Sequence, residues 1–376
     1  MQPEISRFFM GTSSKTGFVG FPRDLIDVDP RAHAFLIKSG PGTGKSTLMR
    51  ALAADFRAQG EPVEELYCSS DPDSLDGIVL PARHVCVLDA TAPHALEPKT
   101  WGVKEEIVSL GDALNTSLLA KQAEDVACAA AQNAAAHARA RRLLAGVSEL
   151  HFDRTRLFEN ALCAPSVARI VARLAETELN PARAEKIDNP AENSAAPTPQ
   201  TCVQRRFLSA VTPKGVLTFF DTPAALCARV IVLDDPGFAA ASAVLDGLQA
   251  VAAARRLPAI ACPHPLYPEH TAHLLFPTAG VAFVSAENGG AAFSPARTLH
   301  LKRCYDDALL SANKQRAAFD KKAERALLSA AVEALADAKS AHDLLEIPYK
   351  SAMNFKKIKA VKTALYQRIS AFSPQP

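Results

Sequence analysis

The chain is short of aromatic side chains, at 6% with a single tryptophan, and short of net charge, at +2. A near-neutral total gives no reason to expect nucleic acid as a partner, because gripping a phosphate backbone takes a marked basic excess. No apolar run approaches the roughly 20 residues of a membrane span, so no membrane partner is expected. The opening residues, Met1 to Arg7, lack the basic-then-apolar pattern of an export signal. The eight cysteines are scattered through 376 residues, with no close CxxC pair and no zinc-finger spacing. That excludes a small disulfide framework, and reduced thiols point to a cytoplasmic setting. What is present is ordinary: 48% hydrophobic and 22% charged residues, a soluble globular composition with room for two domains.

Against that background, residues 35–49 (FLIKSGPGTGKSTLM) carry a strong signal. Phe35, Leu36 and Ile37 predict a buried strand. Gly40, Gly42 and Gly44 predict a loop whose backbone can approach an anion closely. Lys45, Ser46 and Thr47 open a helix with Leu48, Leu52 and Phe56 at four-residue intervals, stopped by Gly60 and Pro62. Strand, glycine loop and helix start in that order make a phosphate cradle, the Walker A pattern, with Ser39 in place of its first glycine. The expected nucleotide-contacting residues are Gly40, Pro41, Gly42, Thr43, Gly44, Lys45, Ser46 and Thr47. Lys45 would neutralise β/γ-phosphate charge, Ser46 would ligate Mg²⁺ and Thr47 would reach the α-phosphate. The expected cofactors are therefore ATP and Mg²⁺.

Residues 7–21 predict two short strands around a polar turn, and Val63–Cys68 another strand. A polar loop with Asp71, Asp73 and Asp76 comes next. Residues 84–89 (HVCVLD) then form an apolar strand ending in Asp89, the Walker B arrangement, which places a carboxylate to hold a water on Mg²⁺. Alternation of strands and helices predicts a mainly parallel sheet flanked by helices. Residues 112–176 are Ala-rich and charged and predict two or three helices, broken near Gly146 and Pro165. Residues 186–203 are a polar, Pro-rich linker.

After the linker the order starts again. Residues 206–215 (RFLSAVTPKG) echo Arg7 to Gly17 with one residue skipped. Val230–Gly237 lies over Phe35–Gly42 at an offset of 195, and the offset becomes 196 by Pro268 and Pro277, over Pro72 and Pro81. The fold expected is α/β, two duplicated P-loop NTPase domains, each with a helical appendage: 1–185 and 204–376. In both, the loop strand and the acid-ending strand should be parallel neighbours. At these offsets Gly44, Lys45, Ser46 and Asp89 are replaced by Ala239, Ala240, Ala241 and Ser285. The second copy is thus expected to bind no nucleotide.

Other constellations have two readings each. Asp71, Asp73 and Asp76 serve either metal and water or Asx-turn capping. His94 is a γ-phosphate contact or a turn residue. His264, His270 and His273 are a metal cluster or, better supported without cysteine partners, ordinary histidines. Arg139, Arg141 and Arg142 are a solvated helix face or a phosphate-sensing cluster, and Lys356, Lys357, Lys359 and Lys362 a basic solvated helix or a contact for RNA or a phosphorylated partner. Ala90 comes after Asp89 where many fast ATPases place a glutamate, so hydrolysis is expected to be slow.

The stretches FLIKSGPGTGKSTLM, CSSDPDSLDGIVLP and VCVLDATAPHALEP, with RRFLSAVTPKG and AFVSAENG in the second half, carry a resemblance. The chain resembles a group of bacterial tandem P-loop ATPases described as nucleotide-kinase-like, over most of both halves and most weakly in the helical segments. The resemblance implies ATP binding, and hydrolysis with Lys45 and Asp89 at the reacting phosphate. It names no acceptor. Expected partners are a nucleoside triphosphate and an unidentified protein or small molecule. A small-molecule kinase, with the loop at Asp71 presenting the acceptor, and a non-catalytic nucleotide switch are the alternatives.

Overall fold

The computed structural model describes residues 5–179, 203–286 and 295–372. The chain is α/β, with two similar six-stranded mixed sheets flanked by helices. It divides into two compact units. One comprises Met1–Arg142, Val211–Leu217 and Ala330–Pro376, the other Leu143–Ala210 and Thr218–Ser329.

The strands of the first half are β1 (Ser6–Phe9), β2 (Gly11–Ser14), β3 (Gly17–Gly20), β4 (His33–Lys38), β5 (Glu64–Tyr67), β6 (Leu75–Leu80), β7 (Val85–Asp89) and β8 (Glu105–Ser109). Between them run α1 (Asp24–Asp27) and α2 (Lys45–Ala58). The main sheet has the order β1-β5-β6-β7-β4-β8, while β2 and β3 pair apart from it as a hairpin. β4 is buried along five of its six residues, as a central parallel strand must be. Its alternate residues Phe35 and Ile37 meet Leu48, Met49, Leu52 and Phe56 of α2 in one apolar cluster. Phe56 is fully buried there, worth about 1.5–3 kcal/mol.

The sheet is less parallel than expected, because β6 runs antiparallel to both neighbours. Sequence reading took the start of β6 for part of the polar loop. The connections decide its direction: a seven-residue turn joins β5 to β6, and a single 3-10 turn, Pro81–Arg83, joins β6 to β7. Neither is long enough for the crossover that parallel neighbours require. The other unforeseen strand, β8, lies at the sheet edge with only two of its five residues buried, so its apolar signal is weak.

The second-half strands are β9 (Val203–Arg205), β10 (Ser209–Thr212), β11 (Gly215–Thr218), β12 (Arg229–Asp234), β13 (Ala259–Pro263), β14 (Thr271–Phe276), β15 (Val281–Ala286) and β16 (Arg297–His300). The order β9-β13-β14-β15-β12-β16 repeats the first sheet strand for strand. Both expected neighbour pairs are parallel: β4 with β7, and β12 with β15. Left-handed backbone positions repeat as well. Gly17, Gly42, Gly60 and His84 have positive φ, and so do Gly215, Phe238, Arg256 and Gly280 at matching places.

The two sheets are in register at an offset of 196, as read from Pro72 onward, whereas the loop strand was read at 195. His33 pairs with Val85 as Arg229 pairs with Val281, which sets the offset at 196 for both strands. The helix after β12 keeps that offset, since buried Leu48, Leu52 and Phe56 answer to buried Val244, Leu248 and Ala252. At the start of the halves the offset is a constant 198. Ser14 Oγ bonds Gly17 O as Thr212 Oγ1 bonds Gly215 O, with no residue skipped.

The helices depart furthest from expectation. In the first half they are α3 (Thr116–Ala120), α4 (Ala123–Asn160) and α5 (Ala164–Glu178). Gly146 does not break α4: a Cβ there would lie 2.9 Å from Leu327 Cδ1, so the glycine makes room for packing. Pro165 stands in the first turn of α5, where its missing N–H costs nothing. The second half contributes α6 (Asp221–Leu226), α7 (Ala239–Arg255), α8 (Asp307–Ala312), α9 (Lys314–Ala352) and α10 (Phe355–Ala371).

The compact units are therefore not the expected segments 1–185 and 204–376. The units have exchanged helical appendages. α10 packs on α2, placing Ile358, Leu365 and Ile369 in the first unit's core, while α5 packs on α7, placing Val167, Ile170 and Leu174 in the second's. The 38-residue α4 begins in the first unit, which runs to Arg142, and ends in the second, so α5 belongs to the second. Of the expected linker 186–203, only Val203 lies within the described residues.

Candidate functional site

In the first unit the glycine loop joins β4 to α2. Gly42 (φ 65°) and Gly44 (φ 89°) take left-handed conformations that side chains resist. Gly44 is the N-cap of α2 and no side chain caps that helix. Its first backbone N–H groups thus remain available to an anion. Gly40 lies so close to α9 that a Cβ would come within 2.5 Å of the Tyr349 ring, and one on Gly42 within 2.9 Å of Glu346 O.

Lys45 Nζ donates to Gly40 O at 2.6 Å and stands 3.5 Å from Asp89 Oδ2. It is held folded over the loop, with its charge where phosphate oxygens would replace the carbonyl as acceptor. Thr43 Oγ1 also donates to Gly40 O. Ser46 Oγ accepts from Leu75 N at 2.9 Å, tying the loop to β6, and keeps a lone pair for a cation. Thr47 is exposed, and Pro41 forms part of the loop. Asp89 ends β7 beside the loop, and its Oδ1 accepts from Thr91 N. Burial pushes the Asp89 carboxyl above its usual range; Lys45 opposes the shift and Asp76 adds to it. The expected residues Gly40, Lys45, Ser46 and Asp89 thus come together. A residue sequence reading missed is Thr91, whose Oγ1 accepts from Ser39 N and bridges the two loops.

The three aspartates after β5 divide. Asp71 accepts from Ser74 Oγ and from Asp73 N, an Asx turn, and pairs with Lys339. Asp73 is exposed and pairs with Lys214. Both are structural. Asp76 is buried and stands 3.0 Å from His94 Nε2. Burial works against protonating His94, yet the Asp76 and then the Asp89 carboxylates raise its pKa above the ordinary value.

In the second unit the equivalent loop is closed by its own side chains. With the offset at 196, Ala240, Ala241 and Ser242 stand for Gly44, Lys45 and Ser46, not Ala239, Ala240 and Ala241. The serine hydroxyl is therefore retained, and Ser242 Oγ lies 3.0 Å from His270 Nδ1. The lysine is lost, and the Asp89 position is Ser285 as expected. Phe238 keeps the left-handed φ of 65° found at Gly42 and is 1% exposed, its ring 4.9 Å from that of His264. Asp235, in the place of Ser39, turns into the helix start. Its Oδ1 accepts from Gly237 N and its Oδ2 from Ala241 N, at 3.1 and 2.8 Å, and Tyr305 OH donates to both oxygens. A carboxylate of the chain thus fills the helix start that no side chain caps in the first unit.

Models of protein families, curated proteins and solved structures were all compared with the chain. None of the three comparisons finds a match. The site therefore rests on its geometry.

The remaining constellations take the quieter readings. The groups of metal-ligating side chains that converge among the described residues include none of His264, His270 and His273. Lys362 pairs with Asp55 and Lys357 donates to Asp112 O, while Lys356 and Lys359 are exposed. Arg139 pairs with Asp337 at the surface, and Arg141 and Arg142 are exposed. No helix of the described residues is long and apolar enough to cross a membrane. The cysteines among the described residues are all free.

Burial gives the second unit an acid liability. The His273 pKa falls to about 3, and that of His264 also falls well below its usual value. The unfolded chain takes up these protons near pH 6.5, whereas native His273 resists until about pH 3. Stability is therefore lost as pH falls through that window, by about 1.4 kcal/mol per pH unit from His273, and His264 acts in the same direction. Unfolding midpoints measured between pH 6.5 and 4.5 should fall, and less steeply in His273→Leu. An identical slope in that variant would refute the assignment.

Proposed function

We propose that the first unit binds a magnesium nucleoside triphosphate, ATP by the sequence resemblance, and hydrolyses it slowly, while the second unit binds none. The observation that carries this reading is Lys45, folded onto Gly40 O and 3.5 Å from Asp89, at an uncapped helix start directly after the left-handed Gly42 and Gly44. On nucleotide entry Lys45 would exchange the carbonyl for β/γ-phosphate oxygens. Ser46 and Asp89 fit a hard cation, offering a hydroxyl and a carboxylate. Magnesium would neutralise charge on the phosphates there.

Hydrolysis is expected to be slow because Ala90 supplies no base to activate water. The experiment is calorimetric titration with Mg-ATP and a non-hydrolysable analogue. One site per chain is expected; two sites, or none, would overturn the reading. Single-turnover measurement on the same protein separates a slow ATPase from a switch that binds without turnover.

A further inference from the structure

Three neighbouring strands carry to one point a thiol, a carboxylate and an imidazole that the nucleotide reading does not use. Cys68 comes directly after β5, Asp76 is the second residue of β6, and His94 lies in the loop after β7. One ligand atom from each lies within 4.8 Å of those of the other two. The turn that carries Cys68 is pinned, since Cys68 N donates to Ser74 O and Ser74 N to Asp71 O. The site is thus built on a rigid frame.

The side chains of His94 and Asp76 are only 8% and 7% exposed. Asp76 Oδ2 lies 3.0 Å from His94 Nε2, a buried ion pair. His94 Nδ1 is buried and without a hydrogen-bond partner. A thiol, a carboxylate and an imidazole brought this close together are arranged as ligands converging on a third body.

We propose that Cys68, Asp76 and His94 bind a divalent cation of the zinc class. The ligand set makes the choice. Magnesium and calcium take oxygen ligands, whereas thiolate and imidazole with one carboxylate suit zinc and its borderline neighbours. Three protein ligands leave a fourth tetrahedral position for water or a substrate oxygen. Thr91, three residues before His94, accepts from Ser39 N of the glycine loop, so the cation would sit beside the proposed nucleotide pocket. Only that location rests on the nucleotide reading; the ligand geometry stands without it.

The test uses the full chain, stripped with a chelator and titrated with Co²⁺. The expected result is one equivalent bound, with tetrahedral visible bands and a near-ultraviolet thiolate-to-cobalt band, displaced by one equivalent of Zn²⁺. Cys68→Ser should lose the thiolate band. His94→Gln, which leaves the thiol in place, should weaken cobalt binding at least tenfold, and it decides the matter if Cys68→Ser does not fold. Absence of stoichiometric cobalt in the wild type, or cobalt binding unchanged in these variants, would overturn the proposal. Lys45→Ala should bind cobalt as the wild type does, so failure of the nucleotide reading and failure of the metal site give different results.

Discussion

Lys45→Ala should weaken Mg-ATP binding by roughly 10- to 150-fold, the equivalent of losing about 1.5–3 kcal/mol from a hydrogen bond to a charged group. Turnover should disappear with it. In the wild type the ammonium is held by Gly40 O at 2.6 Å and faces Asp89 Oδ2 at 3.5 Å. Phosphate entry exchanges a neutral acceptor for a charged one at little conformational cost, because the side chain already lies in the loop. Removing it takes away that gain and leaves Asp89, buried beside Asp76, without the cation that opposes their repulsion. The measurement is calorimetric affinity for Mg-ATP, with the thermal melt as a control for folding. Affinity equal to wild type in a folded variant would remove Lys45, and the glycine loop with it, from the site.

Much of the fold was legible because its signals are local. The apolar run at Phe35–Ile37, the glycines after it and the acid at Asp89 specify strand, loop and strand end without reference to anything distant. The misreading of register had a local cause too. Pro236-Gly237 resembles Pro41-Gly42, and matching them pulls the offset to 195. The backbone keeps 196, placing Phe238 in the left-handed conformation of Gly42. Sequence similarity tracked the Pro-Gly pair while the fold conserved the turn. Exchange of the helical appendages was not legible, because the amphipathic pattern of α5 or α10 shows that one face is buried but not against which sheet. The juxtaposition of Cys68, Asp76 and His94 was hidden for the same reason, since strand order, not spacing, brings them together. A sharper reading of the loop after Val63–Cys68 had a signal available: Leu75, Ile78 and Leu80 bury themselves as a strand, and Asp76 within it is the one aspartate of three that is fully enclosed.

Asp235→Ala should destabilise the second unit by about 3 kcal/mol, and added sulfate should restore part of the loss. The carboxylate receives Gly237 N, Ala241 N and Tyr305 OH, all buried contacts. Deleting it strands three donors, each costing about 1–3 kcal/mol when left unsatisfied in the interior. Against this stands the desolvation of Asp235 itself, which pushes its pKa upward and is relieved in the variant. The net effect is therefore smaller than the sum of three lost bonds. Tyr305 keeps its proton, since burial and the Asp235 charge raise its pKa, so it stays a donor with nothing to receive it. The vacated position would have what the first unit is proposed to offer a phosphate: a helix start and convergent N–H groups, though no lysine. An inorganic anion should re-enter it, raising the variant's unfolding midpoint more than sulfate raises the wild type's through its general effect on burial. Denaturant unfolding with and without sulfate, read by hydrogen exchange within residues 229–255, checks both halves of the expectation. If the variant unfolds at the wild-type midpoint, Asp235 is not the internal anion of this loop. If sulfate lifts both proteins equally, the helix start has closed by another route and the loop has no memory of an anion site.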